Sequence, residues 1–285
     1  MIIDNKAIII CGPTASGKTD IAHKLALELN GEIVNCDSVQ IYKQIPIITA
    51  SPSSKLKEEA PYHLYNFLDV SSEYSVAEYI EDAVKIIREI SSRNRLPIIV
   101  GGSGMYINSL IYGMNEIPNI SKETRLATRE LFQKLGNEEF FQKLSEVDPQ
   151  SAIKLRKSDS QRIIRAYEVM LETGKSIFDF HLGEKTKPLP EFKFEIRLII
   201  PERAILYENC NERVSILLES GAIEEVRHLL HISAQLGHTA KKALGISEIM
   251  NYLDGKITYE NAIELIQTRT RQYAKRQTTW FKNQL

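Results

Sequence analysis

Short apolar runs alternate with helical patterns along the first part of the chain. Residues 7–11, 32–35 and 96–100 each have the length and apolar content of a strand buried in a parallel sheet. Ser75 and Glu78 have the spacing of a capping box and predict the start of a long helix. The helix predicted after the first strand has four apolar residues on one face: Ile21, Leu25, Ala26 and Leu29. Because right-handed helical crossovers join parallel strands, this alternation predicts a parallel sheet covered by helices.

The pattern changes after about residue 115. Residues 121–174 have helical patterns without a strand signal, and residues 185–190 form a connection rich in Lys and Pro. Residues 194–200 again have the pattern of a strand, and the remainder of the chain is helical. This change in character predicts that a helical insertion interrupts the sheet-forming part of the chain.

A glycine-rich loop lies between the first predicted strand and the first predicted helix. Its sequence matches the P-loop pattern, in which glycines let successive backbone N–H groups point at phosphate oxygens. Lys18 would neutralise the outer phosphates, and the Thr19 hydroxyl would bind Mg²⁺. The loop residues are Gly12, Thr14, Ala15, Ser16, Gly17, Lys18 and Thr19. The pattern indicates a pyrophosphate or triphosphate ligand without specifying ATP, and the alternative is a chance match in a structural turn.

These observations predict one fold class and its domain limits. The fold class is α/β, with a P-loop NTPase-like parallel-sheet core and a helical insertion domain. The core comprises residues 1–115 and 191–285, and the insertion comprises residues 116–190.

The acid that P-loop NTPases usually place at the end of a later strand is missing. The apolar run 96–100 ends in Gly101, and the acid that follows the second strand is Asp37. Next to the phosphate loop, Asp37 has the right position to take a proton from an attacking group. The alternative is that Asp37 only caps a turn, and local spacing leaves both interpretations open.

Composition and charge predict an ordinary globular protein without a membrane segment. The 285 residues are 43% hydrophobic and 26% charged, with 36 Lys and Arg against 37 Asp and Glu, for a net charge of −1. Three scattered cysteines without metal-binding spacing predict a reducing compartment. No apolar stretch is long enough to span a bilayer and the start does not resemble a signal peptide, so we expect a cytoplasmic protein.

The near-neutral total conceals two local basic tracts. Residues 266–285 contain five basic residues and no acid, and residues 151–190 contain eight basic and five acidic residues. On a helix, Arg269, Gln272 and Arg276 share one face. Contact with the phosphates of a nucleic acid is one interpretation, and a solvated helix surface is the other. The apolar residues predicted to pack are Ile266, Tyr273 and Trp280.

Five motifs together resemble the tRNA dimethylallyltransferase family, whose members attach an isopentenyl group to the adenine 3′ of the anticodon. The resemblance covers nearly the whole chain, from about Ala7 to Phe281, and the motifs follow the family's order. The motifs are Gly-Pro-Thr-Ala-Ser-Gly-Lys-Thr at 12–19, Asp-Ser-Val-Gln-Ile-Tyr-Lys at 37–43, Pro-Ile-Ile-Val-Gly-Gly-Ser-Gly-Met-Tyr at 97–106, Asp-Pro at 148–149 with Asp-Ser-Gln-Arg-Ile-Ile-Arg-Ala at 159–166, and Arg-Gln-Tyr-Ala-Lys-Arg-Gln-Thr-Thr-Trp-Phe at 271–281.

The resemblance implies a reaction and its catalytic residues. The phosphate loop would hold the pyrophosphate of dimethylallyl diphosphate, with Mg²⁺ at Thr19. Asp37 would hydrogen-bond the exocyclic amine of the adenine and act as general base. Lys18 and Arg213 would stabilise the leaving group as negative charge develops on it. The implied products are isopentenylated tRNA and pyrophosphate.

The resemblance also implies a tRNA-binding surface. The target base would leave its stack and enter a channel, as in other enzymes that modify bases. The insertion would bind the anticodon region. Independently of the resemblance, the three-residue spacing of Arg162 and Arg165 puts them on one helix face, where they could meet an RNA loop or stack on a base. The residues implied in tRNA contact are Asp37, Ser38, Val39, Gln40, Ser103, Arg125, Gln161, Arg162, Ile163, Ile164, Arg165, Lys242 and Gly245.

The chain departs from the family's pattern at four positions. Ser51 stands where the family usually has lysine, and Asn66 replaces an aspartate. Ile246 and Ser247 replace a tyrosine and a basic residue in a turn that contacts tRNA in the family. We expect these changes to affect individual tRNA or pyrophosphate contacts and not the reaction.

Two other functions compete with prenyl transfer. The first is a small-molecule kinase, with ATP as donor and Asp37 as base toward a hydroxyl group. The missing late-strand acid, the insertion and the basic C-terminal tract argue against it. The second is an RNA-binding module without catalysis, which the intact Lys18 and Thr19 argue against. We expect a monomer.

Overall fold

Five parallel strands form one sheet in the part of the chain that the structure describes. The computed structural model describes residues 5–183, 185–232 and 235–285. The strands are β1 (Lys6–Cys11), β2 (Gly31–Asn35), β3 (Tyr62–His63), β4 (Leu96–Gly101) and β5 (Lys193–Leu198). Their order in the sheet is β3-β2-β4-β1-β5, and every pair is parallel. The predicted α/β class with a parallel sheet is confirmed.

Helices connect the strands and continue beyond the last one. Those between β1 and the insertion are α1 (Lys18–Glu28), α2 (Ser54–Glu59), α3 (Val76–Ser92) and α4 (Gly104–Tyr112). Those after β5 are α9 (Arg203–Glu219), α10 (Ala222–His231), α11 (Ile246–Leu253) and α12 (Tyr259–Gln284), with a 3₁₀ turn at Ala240–Lys242. No helix in the described residues is both long enough and apolar enough to span a membrane.

Alternate residues of the central strands face two different hydrophobic cores. Ile8 and Ile10 of β1 pack with α1 on one face of the sheet, and Ile9 packs with α3 on the other. Phe281 of α12 is fully buried in the same core as Ile9. Because both faces are covered, the strands are apolar throughout, as the sequence pattern predicted.

The start of α3 was predicted correctly, whereas the buried face of α1 was predicted partly wrongly. Ser75 and Glu78 form the predicted capping box at the start of α3, each side chain bonding the other residue's backbone N–H. However, Ile21 of α1 and Leu29, which caps the end of this helix, are exposed. The buried face of α1 is formed by Ala22, His23, Leu25 and Ala26. Small alanines on the buried face allow α1 to lie close to the sheet.

A second compact unit comprises Tyr112–Lys187, and the first comprises the chain up to Ile111 and from Pro188 to Leu285. The second unit is helical, as residues 121–174 predict. Its helices are α5 (Lys122–Val147), α6 (Pro149–Lys154), α7 (Ser160–Thr173) and α8 (Ile177–Phe180). Gly136, with φ of 72°, breaks the helical geometry inside α5. Within the predicted domain limits, residues 1–4, 184 and 233–234 lie outside the described residues.

Phenylalanines from α5 and apolar residues from α7 form the core of the second unit. Phe140 and Ile163 are fully buried there, and the Phe140 ring lies 4.9 Å from the ring of Tyr167. Ser121 caps the start of α5, and Gly174 ends α7 in the left-handed conformation. The second unit therefore has a hydrophobic core of its own.

Candidate active site

Three loops meet at the carboxyl edge of the sheet. The phosphate loop follows β1, the segment that begins with Cys36 and Asp37 follows β2, and the turn at Gly102 and Ser103 follows β4. Neighbouring parallel strands end on the same side, so loops distant in sequence become neighbours there. The backbone N–H of Ser103 donates to the Cys36 oxygen at 3.2 Å, which joins the second and third loops directly.

The phosphate loop has the backbone geometry that its glycines predict. Gly12 has φ of 152°, and a Cβ there would lie 2.1 Å from the Ile199 carbonyl oxygen. Gly17 has φ of 80° and immediately precedes α1. The loop thus leads into the amino end of an 11-residue helix, where unpaired N–H groups and the helix dipole favour an anion.

Lys18 curls back over this loop. Its Nζ donates to the Pro13 carbonyl oxygen at 2.5 Å and lies 3.4 Å from the Ser16 Oγ. The pKa of Lys18 is lowered to about 8, mainly by burial; the charge of Asp37 opposes this shift and the charge of Arg213 adds to it. A phosphate ligand would supply the negative charge that this desolvated ammonium lacks.

Asp37 closes a turn and also lines the cavity, so the structure shows the turn contact while its role as a proton acceptor stays a prediction. Its Oδ1 accepts a hydrogen bond from the Val39 N–H at 3.0 Å, which closes a turn. Its backbone N–H is held by the Asn35 Oδ1 at 2.9 Å. The carboxylate also lines the cavity that contains the phosphate loop. One oxygen therefore shapes the turn, and the side chain as a whole faces the place where a ligand would bind.

Arg213 reaches the same cavity from α9. Its Nη2 donates to the Thr49 carbonyl oxygen at 3.0 Å. Burial lowers the pKa of Arg213, and the negative charge of Asp37 opposes that shift. The cavity has a volume of about 430 Å³, and its lining includes all three predicted catalytic residues: Lys18, Asp37 and Arg213. The structure therefore brings together a phosphate loop, two cations and a carboxylate.

Two residues that the sequence patterns did not identify hold the phosphate loop in place. The Thr14 N–H donates to the Gln277 Oε1 at 2.8 Å, and the Asn209 Nδ2 donates to the Ala15 carbonyl oxygen at 3.2 Å. Gln277 lies in the closing motif at 271–281, and membership of that motif was the only sequence signal that could have pointed to Gln277 as a site residue. Because 263 residues separate Gln277 from Thr14, no local pattern could have paired them.

The predicted tRNA-contacting residues of the first unit lie close to Asp37 or form structural turns. The Ser38 N–H donates to the Ser103 Oγ at 3.0 Å, and the Gln40 Nε2 donates to the Thr49 and Ala50 carbonyl oxygens. Val39, which bonds Asp37, is half-buried. Ser38, Val39 and Gln40 directly follow Asp37 and are called here the wall beside the Asp37 turn, and Gln40 also lines the cavity.

Two of the predicted tRNA-contacting residues lie in the turn before α11, and they differ in exposure. Lys242 is exposed, whereas Gly245 is buried with φ of 102° at the N-cap of α11. A Cβ at Gly245 would lie 3.1 Å from the Ile48 Cδ1. Backbone conformation and close packing therefore account for this glycine without an RNA contact.

The predicted tRNA-contacting residues of the second unit differ in exposure. Arg125, Gln161 and Arg162 are exposed, and Ile164 and Arg165 are half-buried. Ile163 is fully buried in the core of the unit. The Ile163 side chain packs against residues of α5, so any contact of this residue with tRNA would have to use its backbone, and the contact stays a prediction. Arg162 pairs with Asp159 at 3.4 Å, and Arg165 pairs with Glu168 at 3.3 Å.

The basic C-terminal helix differs from the prediction in how its faces are used. Arg269 forms an ion pair with buried Glu248, and Arg271 donates to the Asn211 Oδ1. The buried residues of α12 are Ala262, Ile266, Thr270, Ala274, Gln277 and Phe281, whereas Tyr273 and Trp280 are half-buried. The packing stripe follows the 3.6-residue helical repeat, and the predicted spacing of seven residues drifts away from it.

Two of the departures from the family pattern contact each other. The Ser51 Oγ donates to the Asn66 Oδ1 at 2.6 Å, and the Lys57 Nζ donates to the same oxygen at 2.8 Å. The Asn66 Nδ2 donates to the Tyr42 carbonyl oxygen at 3.0 Å. The substitutions at 51 and 66 thus form a single polar cluster at the side of the cavity that Ser51 lines.

Comparison with known proteins agrees with this geometry. The IPP transferase family profile matches residues 40–284. The chain is 50% identical over 278 residues to a tRNA dimethylallyltransferase of Rickettsia massiliae, covering 98% of this chain and 77% of that protein. It is 47% identical over 284 residues to a tRNA dimethylallyltransferase of Rickettsia prowazekii, covering 100% of this chain and 91% of that protein.

Solved structures of similar proteins share the fold. A full-length tRNA isopentenylpyrophosphate transferase of Bacillus halodurans is 34% identical with a TM-score of 0.67, covering 98% of this chain and 87% of that one. A eukaryotic dimethylallyltransferase, solved in crystallographic snapshots of its action on tRNA, is 29% identical with a TM-score of 0.81. The match covers 97% of this chain and 69% of that one. The chain therefore belongs to the IPP transferase family and is an enzyme of the tRNA dimethylallyltransferase class.

Proposed function

We propose that the chain transfers a dimethylallyl group from dimethylallyl diphosphate to the exocyclic amine of the adenine 3′ of the anticodon in tRNA. The observation that carries this proposal is the shared cavity, in which a phosphate loop, Lys18 and Arg213 face the Asp37 carboxylate. The names of the similar proteins, which specify tRNA and dimethylallyl or isopentenylpyrophosphate transfer, support the choice of substrates.

The proposed step breaks one bond and forms one. The allylic C–O bond to the diphosphate breaks, and a C–N bond forms between the allylic carbon and the exocyclic nitrogen of adenine. Asp37 takes the proton that the nitrogen loses, and pyrophosphate leaves with the electron pair of the broken bond. Lys18, Arg213 and the N–H groups at the amino end of α1 stabilise the charge that develops on the leaving oxygen.

The residues around the phosphate loop fit a magnesium ion bound together with a diphosphate. Thr19 and Asp20 line the cavity, so a hydroxyl and a carboxylate, both hard oxygen ligands, are available. No cluster of three or more potential ligands from His, Cys, Asp and Glu exists in the described residues, so phosphate oxygens would complete the coordination. Thr19 is the proposed ligand, and a bound Mg²⁺ would neutralise the developing negative charge.

Two features of the cavity separate this proposal from a kinase. No acid lies at the carboxyl end of β4, where Gly101 packs against the Cys36 backbone so closely that a Cβ would lie 2.0 Å from its carbonyl oxygen. The carboxylate instead follows β2, beside the wall formed by Ser38, Val39 and Gln40. We propose that this wall, the exposed Arg125, Gln161 and Arg162, and Lys242 contact the tRNA. A cytoplasmic monomer remains our prediction.

The test is incubation of the protein with unmodified tRNA, radiolabelled dimethylallyl diphosphate and Mg²⁺. We expect label in tRNA, and none when the target adenine is replaced by guanine. A parallel reaction with ATP and small alcohols tests the kinase. ATP turnover without label in tRNA would reject the proposal.

A further inference from the structure

Gln277 connects the two halves of the proposed active site. Its side chain is buried, with 7% exposed, and lines the cavity. The amide oxygen accepts from the Thr14 N–H at 2.8 Å, and the amide nitrogen donates to the Gly102 carbonyl oxygen at 2.9 Å. One side chain of α12 thus joins the loop after β1 to the loop after β4.

The connection continues from Gly102 to Asp37. Ser103 follows Gly102, and its Oγ accepts from the Ser38 N–H at 3.0 Å while its own N–H donates to the Cys36 oxygen at 3.2 Å. Asp37 lies between the two residues that Ser103 holds. A short path of hydrogen bonds and peptide links therefore runs from the phosphate loop through Gln277, Gly102 and Ser103 to the residues on either side of Asp37.

The Gln277 amide packs directly on the backbone of Gly102. A Cβ at Gly102 would lie 2.4 Å from the Gln277 Nε2 and 3.2 Å from the Gly12 carbonyl oxygen. Because the Thr14 N–H is bonded to Gln277, it does not point at a phosphate. The anion-binding N–H groups of the loop therefore come from the residues after Thr14.

We propose that Gln277 is a positioning residue, which sets the distance between the diphosphate on the phosphate loop and the Asp37 carboxylate. The inference rests on the proposed function of this cavity. A misplacement of about 1 Å between reacting groups can cost on the order of 100-fold in rate. Gln277 would therefore act mainly on kcat, with a smaller effect on substrate affinity.

Gln277→Met removes both hydrogen bonds and keeps most of the side-chain volume. We expect kcat to fall about tenfold to 100-fold, with KM for tRNA unchanged within about threefold. Gln284→Met is the matched control, because Gln284 is an exposed glutamine on the same helix, seven residues further along. Circular dichroism and thermal melting confirm that each variant folds. Equal kcat in Gln277→Met and the wild type, or a loss confined to KM for tRNA, would overturn the proposal.

Gln277→Glu provides a readout that a purely structural role would not move. The ionised carboxylate accepts from the Thr14 N–H but repels the Gly102 oxygen, whereas the protonated acid can donate to that oxygen. We expect the ratio of variant to wild-type kcat to rise as pH falls from 8 to 6. A ratio that does not change with pH would contradict a directional hydrogen bond at Gly102.

Gly102→Ala tests the same connection without altering Gln277. The added methyl group displaces the Gln277 amide, so this variant should reproduce the loss of kcat. The double variant Gly102→Ala/Gln277→Met should lose less than the product of the two single losses. Fully multiplicative losses would show that the residues act independently and would overturn the proposal.

Binding of inorganic pyrophosphate, measured by calorimetry, separates this inference from the proposed function. Wild-type protein that binds pyrophosphate but labels no tRNA would reject the function. Weaker pyrophosphate binding in Gln277→Met, by about threefold or more, would support the proposed ordering of the phosphate loop. If Gln277→Met keeps both the pyrophosphate affinity and the kcat of the wild type, the role of Gln277 is rejected while the proposed function stands.

Discussion

Arg213 and Gln40 donate to the same acceptor, the carbonyl oxygen of Thr49, at 3.0 and 3.1 Å. One residue belongs to the proposed leaving-group site and the other to the segment that follows Asp37. The Thr49 segment is held in turn by Glu225 of α10, whose two carboxylate oxygens accept from the Ile47 and Ile48 N–H groups at 2.8 Å each. The position of Arg213, a proposed catalytic cation, thus depends on a carboxylate outside the cavity.

Glu225→Ala should weaken both stability and catalysis. It leaves two backbone N–H groups without their acceptor, so the free energy of unfolding should fall by about 2 kcal/mol or more. The kcat/KM for the diphosphate substrate should fall as well. Glu224→Ala is the control, since Glu224 is exposed and forms a surface ion pair with Arg227, and such pairs contribute about 0–1 kcal/mol. Equal melting curves for the two variants would contradict this assignment.

Asp37→Asn separates the two roles of Asp37. The amide oxygen can still accept from the Val39 N–H, but the side chain no longer takes up a proton. We expect kcat to fall by about 10²–10⁴-fold, the usual contribution of a general base. Affinity for tRNA should stay within about tenfold, as measured by filter binding. Severe loss of tRNA affinity would instead identify Asp37 chiefly as a recognition residue.

Binding of pyrophosphate should take up a proton at high pH. Lys18 has its pKa lowered to about 8, so it is mostly protonated at pH 7 and mostly neutral at pH 9. A bound anion favours the charged ammonium and raises this pKa again. Calorimetry in buffers of different ionisation enthalpy measures the number of protons taken up on binding. This number should be much larger at pH 9 than at pH 7. In Lys18→Arg the uptake should disappear, and uptake that persists there would assign the proton to another group.

Affinity for tRNA should depend steeply on salt, with unequal contributions from the basic residues of α12. Arg269 and Arg271 already have protein partners, whereas Arg276 is exposed and lies over the Tyr273 ring. Arg276→Ala should reduce the slope of log K against log salt by about one. Arg269→Ala should mainly lower stability, because buried Glu248 loses its partner. A flat salt response in the wild type would reject phosphate contact by this helix.

Ile163→Ala should destabilise the second unit. Ile163 is fully buried, and truncation of a buried isoleucine to alanine costs about 2–5 kcal/mol. Arg162→Ala changes the adjacent, exposed residue and should leave stability within about 0.5 kcal/mol. Chemical denaturation of the full chain measures both. An Ile163→Ala variant as stable as the wild type would contradict the core position.

Interactions between close neighbours in the chain could be predicted in detail. The phosphate loop, the turn at Asp37 and the capping box at Ser75 and Glu78 each depend on residues a few positions apart, whose geometry the backbone restricts. The helical faces were predicted less well. Helical spacing shows which residues share a face, but the surface that the helix meets decides which face is buried. For this reason Ala22 is buried in α1 and Ile21 is exposed.

By itself, the sequence determined the α/β class, the phosphate loop and the carboxylate after β2, because strand pattern, glycine spacing and turn chemistry are local properties. The family resemblance had already named Arg213, but only the tertiary structure showed its hydrogen-bond partner and added Gln277 to the site. Arg213 lies 164 residues from Thr49 and Gln277 lies 263 residues from Thr14, yet each pair is hydrogen-bonded. Parallel strands place their carboxyl ends together and the C-terminal helices pack against that edge, so these contacts arise from the packing of whole elements.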